Sequence, residues 1–129
     1  MARSVKCAVA GRDFELIYTV AANKQIGERF GSMSKFIDRL VNAAESEDTD
    51  SIMSDMLYVF ILLANQSIIT KNHFQGTDDP LWDLETIELL FSTADVITAR
   101  DYMIDAINAG NSRAVQSEDE SSPNADAGQ

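Results

Sequence analysis

The one histidine of the chain, His73, is the first residue whose type is suited to acid–base chemistry. Nucleophilic catalysis requires a base that a third group orients toward a nucleophile. No serine, cysteine or carboxylate stands near His73 in the pattern of such a triad. We therefore expect His73 to lie in a surface loop, we predict no catalytic residue, and we do not expect an enzyme.

Four carboxylates, Asp78, Asp79, Asp83 and Glu85, are the next candidates, because oxygen ligands bind hard cations. Their spacing lacks the pattern of a calcium-binding loop, in which ligands stand at positions 1, 3, 5 and 12. Asp83 also stands where it can cap a helix. The glycines are scattered and form no run that would cradle a phosphate. The sequence therefore predicts no metal site and no cofactor.

The single cysteine, Cys7, supports neither a disulfide framework nor a metal cluster, which is typical of a reducing cytoplasm. It falls on the apolar face of a predicted strand, so we expect a small buried side chain rather than a reactive thiol. The first residues carry charge without an apolar stretch, so no secretion signal is predicted. A cytoplasmic location is the expectation.

Charge is unevenly distributed along the chain. The 129 residues carry a formal net charge of −11, which argues against binding nucleic acid through its phosphates. Residues 1–41 have a net charge of +3, whereas residues 42–129 have a net charge of −14. This polarity is either a property of a solvated surface or a basis for head-to-tail contact between copies, in rings or filaments. The cations that we assign to such self-association are Arg3, Lys6, Arg12, Lys24 and Arg29.

The most apolar stretch runs from Met56 to Ala64 and contains no charged or small polar residue. Apolar residues recur there and in the flanks at a helical period, so we predict a central helix that is buried on most sides. The uncharged run is shorter than the roughly 20 apolar residues of a membrane span, so no membrane partner is expected. Either the rest of the chain encloses this helix, or a second chain covers one side of it.

Alternating apolar residues between Arg3 and Val20 predict a β-hairpin. A two-residue turn at Gly11 and Arg12 sets its register. The predicted cross-strand pairs are Val9 with Phe14, Cys7 with Leu16, and Val5 with Tyr18. All six side chains then share one face, which must pack on helices because an isolated hairpin is marginally stable.

Five helices are predicted after the hairpin, so the fold class is mainly α with an N-terminal β-hairpin (α+β), the hairpin packing on a compact bundle. Gly31 is expected to end the first helix and Ser32 to cap the second. Trp82 is expected to anchor a loop at 70–79 on the core, and Gly110 to end the last helix. We expect residues 1–110 to form one globular domain and residues 111–129 to form a disordered acidic tail.

The order of these features resembles the small tail assembly chaperones of long-tailed, siphovirus-type bacteriophages. The resemblance covers roughly residues 3–110 and rests on the hairpin end Phe14 to Asn23, the segment Ile26 to Gly31, the two helices that follow, and the segment Leu84 to Leu90. It implies a non-enzymatic, often oligomeric protein of the host cytoplasm, absent from the mature virion, that coats the tape measure protein during tail assembly. Many members of this family also have a longer form made by translational frameshifting.

A tape measure protein is long and largely helical, so the resemblance implies an acidic coat that confers solubility and an apolar groove for helix docking. The partner-binding groove that this hypothesis assigns to the chain is lined by Phe36, Met53, Tyr58 and Phe60. The alternative is a small acidic helical adaptor or regulator that binds a single folded protein. A tape-measure-like gene next to this one would favour the chaperone.

Overall fold

The computed structural model describes residues 4–42 and 49–111. Its elements confirm the predicted fold class, a two-stranded antiparallel hairpin followed by five helices. They are β1 (Ser4–Val9), β2 (Arg12–Ile17), α1 (Val20–Phe30), α2 (Met33–Val41), α3 (Thr49–Gln75), α4 (Leu84–Leu90) and α5 (Thr93–Asn111). Arg3 and the predicted acidic tail beyond Asn111 lie outside the described residues.

The hairpin forms, but the predicted register is wrong by two residues. The turn lies at Ala10 and Gly11, where both φ angles are positive, 55° and 76°. Cross-strand partners are therefore Val9 with Arg12, Cys7 with Phe14, and Val5 with Leu16. Two positive φ values give a turn whose twist matches that of the strands, and this outweighs the small strain at Ala10. A shift of two residues keeps every side chain on its face, so the apolar face survives the error.

α1 and α2 form a helical pair whose ends follow the predictions. Gly31 adopts φ 96° at the end of α1, and its N–H donates to the carbonyl of Gly27. The Ser32 side chain accepts from the N–H of Lys35 and caps α2. The side chains that these helices bury are Ala22, Ile26, Phe36 and Leu40.

α3 is the core of the molecule, and the other elements enclose most of it. The side chains that it buries are Ile52, Met56, Leu57, Val59, Phe60, Leu62, Leu63 and Ala64. By length and composition alone, its stretch 50–75 is able to cross a membrane, yet 56% of the apolar window is buried inside the protein. Enclosure by the rest of the chain, one of the two alternatives above, is thus what the structure shows for most of the helix.

The loop predicted to start at Thr70 is wrong, because α3 continues to Gln75. No residue before Gly76, which has φ 73°, breaks the helix. The extra turns carry Lys71 to Glu15 of β2, with Nζ 2.8 Å from the carboxylate. Polar composition marked this stretch as surface, and a helix face exposed to water has the same composition.

The segment between α3 and α4 is anchored at Trp82, as predicted. The Asn65 side chain accepts from the Trp82 N–H at 2.8 Å and donates to the Trp82 carbonyl at 2.9 Å. The Trp82 ring lies 4.9 Å from the ring of Phe14, centroid to centroid. Asp83 then caps α4 by accepting from the N–H of Thr86, again as predicted. Two side chains therefore fix both the position and the direction in which α4 begins.

α5 begins with a capping box, because the Ser92 N–H donates to Asp95 and the Asp95 N–H donates to Ser92. Its predicted end is wrong, since the helix runs through Gly110 to Asn111. A Cβ atom on Gly110 would lie 2.8 Å from two carbon atoms of the Tyr18 side chain. Gly110 is therefore a point of close approach between α5 and the chain that links β2 to α1.

Candidate functional site

The groove predicted from the sequence does not form from its four residues. Phe36 and Phe60 are 0% and 1% exposed and belong to the core, so neither is accessible to a partner. Met53 and Tyr58 are half-buried and lie on different flanks of α3. Apolar spacing identified side chains that need cover, but it did not show which element of the same chain covers them. Met53 and Tyr58 each lead to a surface recess described below.

The first recess, here called the acidic cleft, lies where α3, α4 and α5 meet and has a volume of about 280 Å³. Its lining residues are Asp50, Met53, Ser54, Leu57, Glu88, Phe91, Ser92, Thr93 and Val96. The apolar part of this lining comes from α3, from α5 and from Phe91, which follows the last residue of α4. A cleft of this size has room for an anchoring side chain rather than a whole helix.

Exposed carboxylates border the acidic cleft. Asp50 and Glu88 lie on α3 and α4, and among the described residues that line the cleft none is Lys or Arg. α4 and α5 also expose apolar side chains, with Leu89 82% and Ile97 53% exposed. Apolar anchor space with acidic borders fits a ligand that is apolar on one side and basic next to it.

The second recess, here called the basic notch, lies between α1, α2 and α3 and has a volume of about 430 Å³. It is lined by Arg29, Phe30, Lys35, Arg39 and Asp55. Three cations and one carboxylate leave it with a formal charge of +2. In a chain with a net charge of −11, this recess has the opposite sign to most of the molecule.

Asp55 organises the basic notch. Its carboxylate accepts from Arg29 Nη2 at 3.1 Å and from Arg39 Nε at 2.7 Å. Arg39 Nη2 also donates to Ser51 at 2.8 Å, and the Arg29 guanidinium stacks 4.2 Å from the centroid of the Tyr58 ring. Both guanidinium groups are therefore held in fixed positions. Tyr58, predicted to bind a partner, instead supports a cation here.

The cations predicted for self-association divide between two surfaces. Lys6 and Arg12 are exposed on the hairpin, and Lys24 and Arg29 are exposed on α1. Arg29 is engaged with Asp55, and Arg3 lies outside the described residues. The notch cations that this assignment omitted are Lys35 and Arg39. Their spacing of four residues on the amphipathic helix α2 was the signal that they share a face.

A third recess, of about 710 Å³, lies between the hairpin and the C-terminal half of α3. It is lined in part by Cys7, Glu15, Lys71 and Tyr102. Burial raises the pKa of the Cys7 thiol to about 11, with a further contribution from Asp13, so the thiol is protonated at neutral pH. The hydrogen bond from Lys71 lowers the pKa of Glu15. This recess holds a protonated thiol and an ion pair, and neither is arranged as an activated nucleophile.

The residues first considered for chemistry are dispersed. His73 lies exposed near the end of α3, in a helix rather than the predicted loop, with its ring 4.6 Å from that of Phe74. Hydrogen bonds to Thr86 lower the pKa of Asp83, which acts as a helix cap. Within residues 4–42 and 49–111, no group of three or more His, Cys, Asp or Glu side chains is placed to hold a metal ion.

Comparison with known proteins found no match for this chain among protein-family models, curated proteins or solved structures. The acidic cleft and the basic notch are thus the features from which function is argued.

Proposed function

We propose that this chain is a tail assembly chaperone of long-tailed bacteriophages that binds and solubilises the tape measure protein by non-catalytic contacts. The observation that carries the proposal is the acidic cleft, an apolar recess between three helices with Asp50 and Glu88 at its border. The order of hairpin and helices that resembles this family adds to it. The cleft replaces the four-residue groove that the sequence suggested.

Helix docking in the acidic cleft requires one apolar side chain to enter between Met53 and Val96. Basic residues one helical turn away on the same ligand helix then face Asp50 and Glu88. The apolar insertion contributes most of the affinity, and the charges select orientation and partner. A long tape measure protein offers many such helical segments, so one chaperone surface serves repeatedly along it.

Solubilisation follows from the charge of the coat. A bare, long helical chain exposes apolar stripes that associate with one another. Each bound copy of this chain adds a formal charge of −11 while it covers part of a stripe. Coated complexes then repel one another at moderate ionic strength. In this proposal the protein acts in the host cytoplasm, associates with further copies and with any frameshifted longer form, and leaves before the virion is complete.

The proposal is tested by binding of labelled peptides, about 25 residues long, that tile the tape measure protein of a long-tailed bacteriophage. Fluorescence anisotropy is measured for the unmodified protein and for Met53→Glu and Glu88→Lys. Met53→Glu places a charge where the apolar anchor enters, and Glu88→Lys places a cation opposite the basic residues of the ligand. We expect each variant to weaken binding at least about tenfold. Asp105→Lys is the matched control, an exposed charge reversal in the C-terminal half of α5, and we expect less than a twofold change.

The same experiment contradicts the proposal in two ways. Failure of every tape measure peptide to bind removes the function, and binding that neither cleft variant weakens removes the cleft as its site. The adaptor alternative is distinguished by its ligand, since an adaptor binds one folded protein and no isolated helical peptide. Circular dichroism of each variant confirms that the fold is retained before its binding is interpreted.

A further inference from the structure

The basic notch has more cations than its internal contacts use. Arg29 and Arg39 share the single carboxylate of Asp55, and Lys35 adds a third positive charge. A guanidinium has five N–H donors, and the side chains of Arg29 and Arg39 are 44% and 35% exposed. The notch therefore presents oriented donors to solvent together with a formal charge of +2. Such an arrangement binds carboxylates, which accept from two donors of one guanidinium.

The end of the described chain lies near the helix that leads to the notch. Gly110 packs closely against Tyr18, and the Tyr18 hydroxyl donates to Asn23 in the first turn of α1. α1 has 11 residues and is therefore about 16 Å long, and Arg29 lies in its last turn. A segment that follows Asn111 thus starts roughly one α1 length from the notch.

An acidic run follows Asn111 within reach. Residues 118–120 are Glu-Asp-Glu, and Glu118 stands seven residues beyond Asn111. Seven residues span up to about 25 Å when extended, which exceeds the length of α1. Residues 112–129 have a net charge of −3, from four carboxylates and Arg113. The reach of this segment matches the distance to the notch, and its negative charge is opposite to the positive charge of the notch.

We propose that the acidic run Glu118–Glu120 docks into the basic notch of its own chain. Exposed ion pairs are individually weak, at about 0–1 kcal/mol each. Attachment to the same chain compensates for this weakness, because a short tether gives an effective concentration in the millimolar range. A phosphate polymer is a poorer occupant, because the chain as a whole carries a net charge of −11 and repels it. This inference does not depend on the chaperone function.

Docking of this kind makes the notch a competitive surface. The tail covers Arg29, Lys35 and Arg39 until another acidic ligand displaces it. Because the contact is electrostatic, occupancy of the notch by the tail falls as salt rises. The acidic cleft lies on a different flank of α3 and is lined by other residues. Loss of tail docking therefore leaves binding at the acidic cleft unchanged, and failure of one proposal is distinguishable from failure of the other.

The test compares the full chain with the triple variant E118Q/D119N/E120Q by two-dimensional NMR. We expect the side-chain Nε–Hε signals of Arg29 and Arg39 to shift on neutralisation of the run, together with backbone amides of α2. A peptide of residues 112–129, added to the triple variant, restores these shifts. Sodium chloride at 0.5 M abolishes the difference between the two proteins, because screening is then short-ranged. Asp126→Asn is the control outside the run, and it leaves the notch signals in place.

A second variant tests the docking of the tail without disturbing the Asp55 ion pairs. In Lys35→Glu, an exposed cation is reversed, and we expect the affinity of the peptide of residues 112–129 to fall at least about threefold. Unchanged notch signals in the triple variant overturn the proposal, as do shifts confined to the hairpin. Shifts that disappear on tenfold dilution of the full chain also overturn it, because they show docking between two copies rather than within one.

Discussion

The α1–α2 pair and the hairpin half attach to α3 by different means. The hairpin half consists of β1 and β2 together with α4 and α5. In the hairpin half, Phe14 contacts the rings of Phe60, Trp82 and Phe91 at 4.9 to 6.0 Å between centroids. The α1–α2 pair also buries apolar residues, but its outer seam with α3 consists of the ion pairs of Asp55. One junction is mainly apolar, with a single ion pair between Lys71 and Glu15 at its edge. The other combines an apolar interior with a seam of two ion pairs.

Because of this difference, the stability of the two junctions should respond differently to salt. Apolar burial is insensitive to moderate salt, whereas half-exposed ion pairs weaken as salt screens them. We therefore expect the α1–α2 pair to loosen before the hairpin half when salt is added. The basic notch lies in the junction that loosens first.

Removal of the Phe14 ring tests the apolar junction and has the largest expected effect. Phe14→Ala leaves a cavity among Phe60, Trp82 and Phe91, so we expect the free energy of unfolding to fall by about 3–5 kcal/mol. Urea denaturation measures it, and hydrogen exchange should show protection lost throughout the fold. Phe74→Ala is the matched control, because that ring is 79% exposed and should change stability by less than about 0.5 kcal/mol. Equal effects of the two substitutions would contradict the assignment of Phe14 to the core.

Two glycine substitutions compare the two parts of the molecule, because one is expected to lower the free energy of unfolding and the other to raise it. Gly110→Ala forces a Cβ atom to within 2.8 Å of Tyr18 and 2.9 Å of its carbonyl oxygen, so we expect destabilisation by about 1–3 kcal/mol. Gly27→Ala in α1 meets no atom within 4 Å, and we expect stabilisation by about 0.5–1 kcal/mol. Thermal denaturation of both variants measures the difference. A stabilised Gly110→Ala protein would show that α5 does not pack against Tyr18.

Neutralisation of Asp55 tests the charged seam. Asp55→Asn removes both ion pairs and leaves Arg29 and Arg39 near each other, and we expect a loss of about 1–2 kcal/mol. The loss should shrink in 1 M salt, where the screening length is about 3 Å. Hydrogen exchange should show loosening in α1 and α2, with the hairpin amides unaffected. Asp105→Asn, at an exposed site, is the control, and loosening of the hairpin by Asp55→Asn would refute the separation of the two junctions.

The smallest expected effect comes from the ion pair at the hairpin edge. The Lys71 hydrogen bond lowers the pKa of Glu15, so the carboxylate stabilises the fold above its ordinary pKa of 4.5 and loses this effect as pH falls through the lowered value. Glu15→Gln should therefore cost less than about 1 kcal/mol at neutral pH and nothing in strong acid. Urea midpoints across pH, with Lys71→Gln as the partner variant, measure this. A constant difference across the pH range would show that charge is not its source.

Local signals in the sequence were reliable where a few neighbouring residues decide the structure. Gly31, Ser32 and Asp83 all act at helix ends as predicted, because each forms hydrogen bonds within four residues of itself. The hairpin faces were also correct, since alternation alone sets them. Its register was not, because turns that lie one residue apart give registers that differ by two residues, and both satisfy the same alternation.

The candidate surfaces were harder to predict from the sequence than the helix ends. Met53 lines the acidic cleft as part of a predicted binding surface, but Phe36 and Phe60 of the same prediction are buried. An apolar stripe predicts that a side chain will be covered. It does not predict whether the same chain or a partner covers it. The basic notch was missed as a unit, because its cations come from two helices and its carboxylate from a third.

The sequence by itself determined the number and type of the elements, most helix ends and the faces that are apolar. These depend on the backbone preferences of single residues and on periodicity, which act over a few residues. Only the tertiary structure decided that Gly110 meets Tyr18, that Asp55 joins two arginines, and that the cleft at Met53 stays open. Such contacts join residues far apart in the chain, so they follow from how the helices pack together and not from any local pattern.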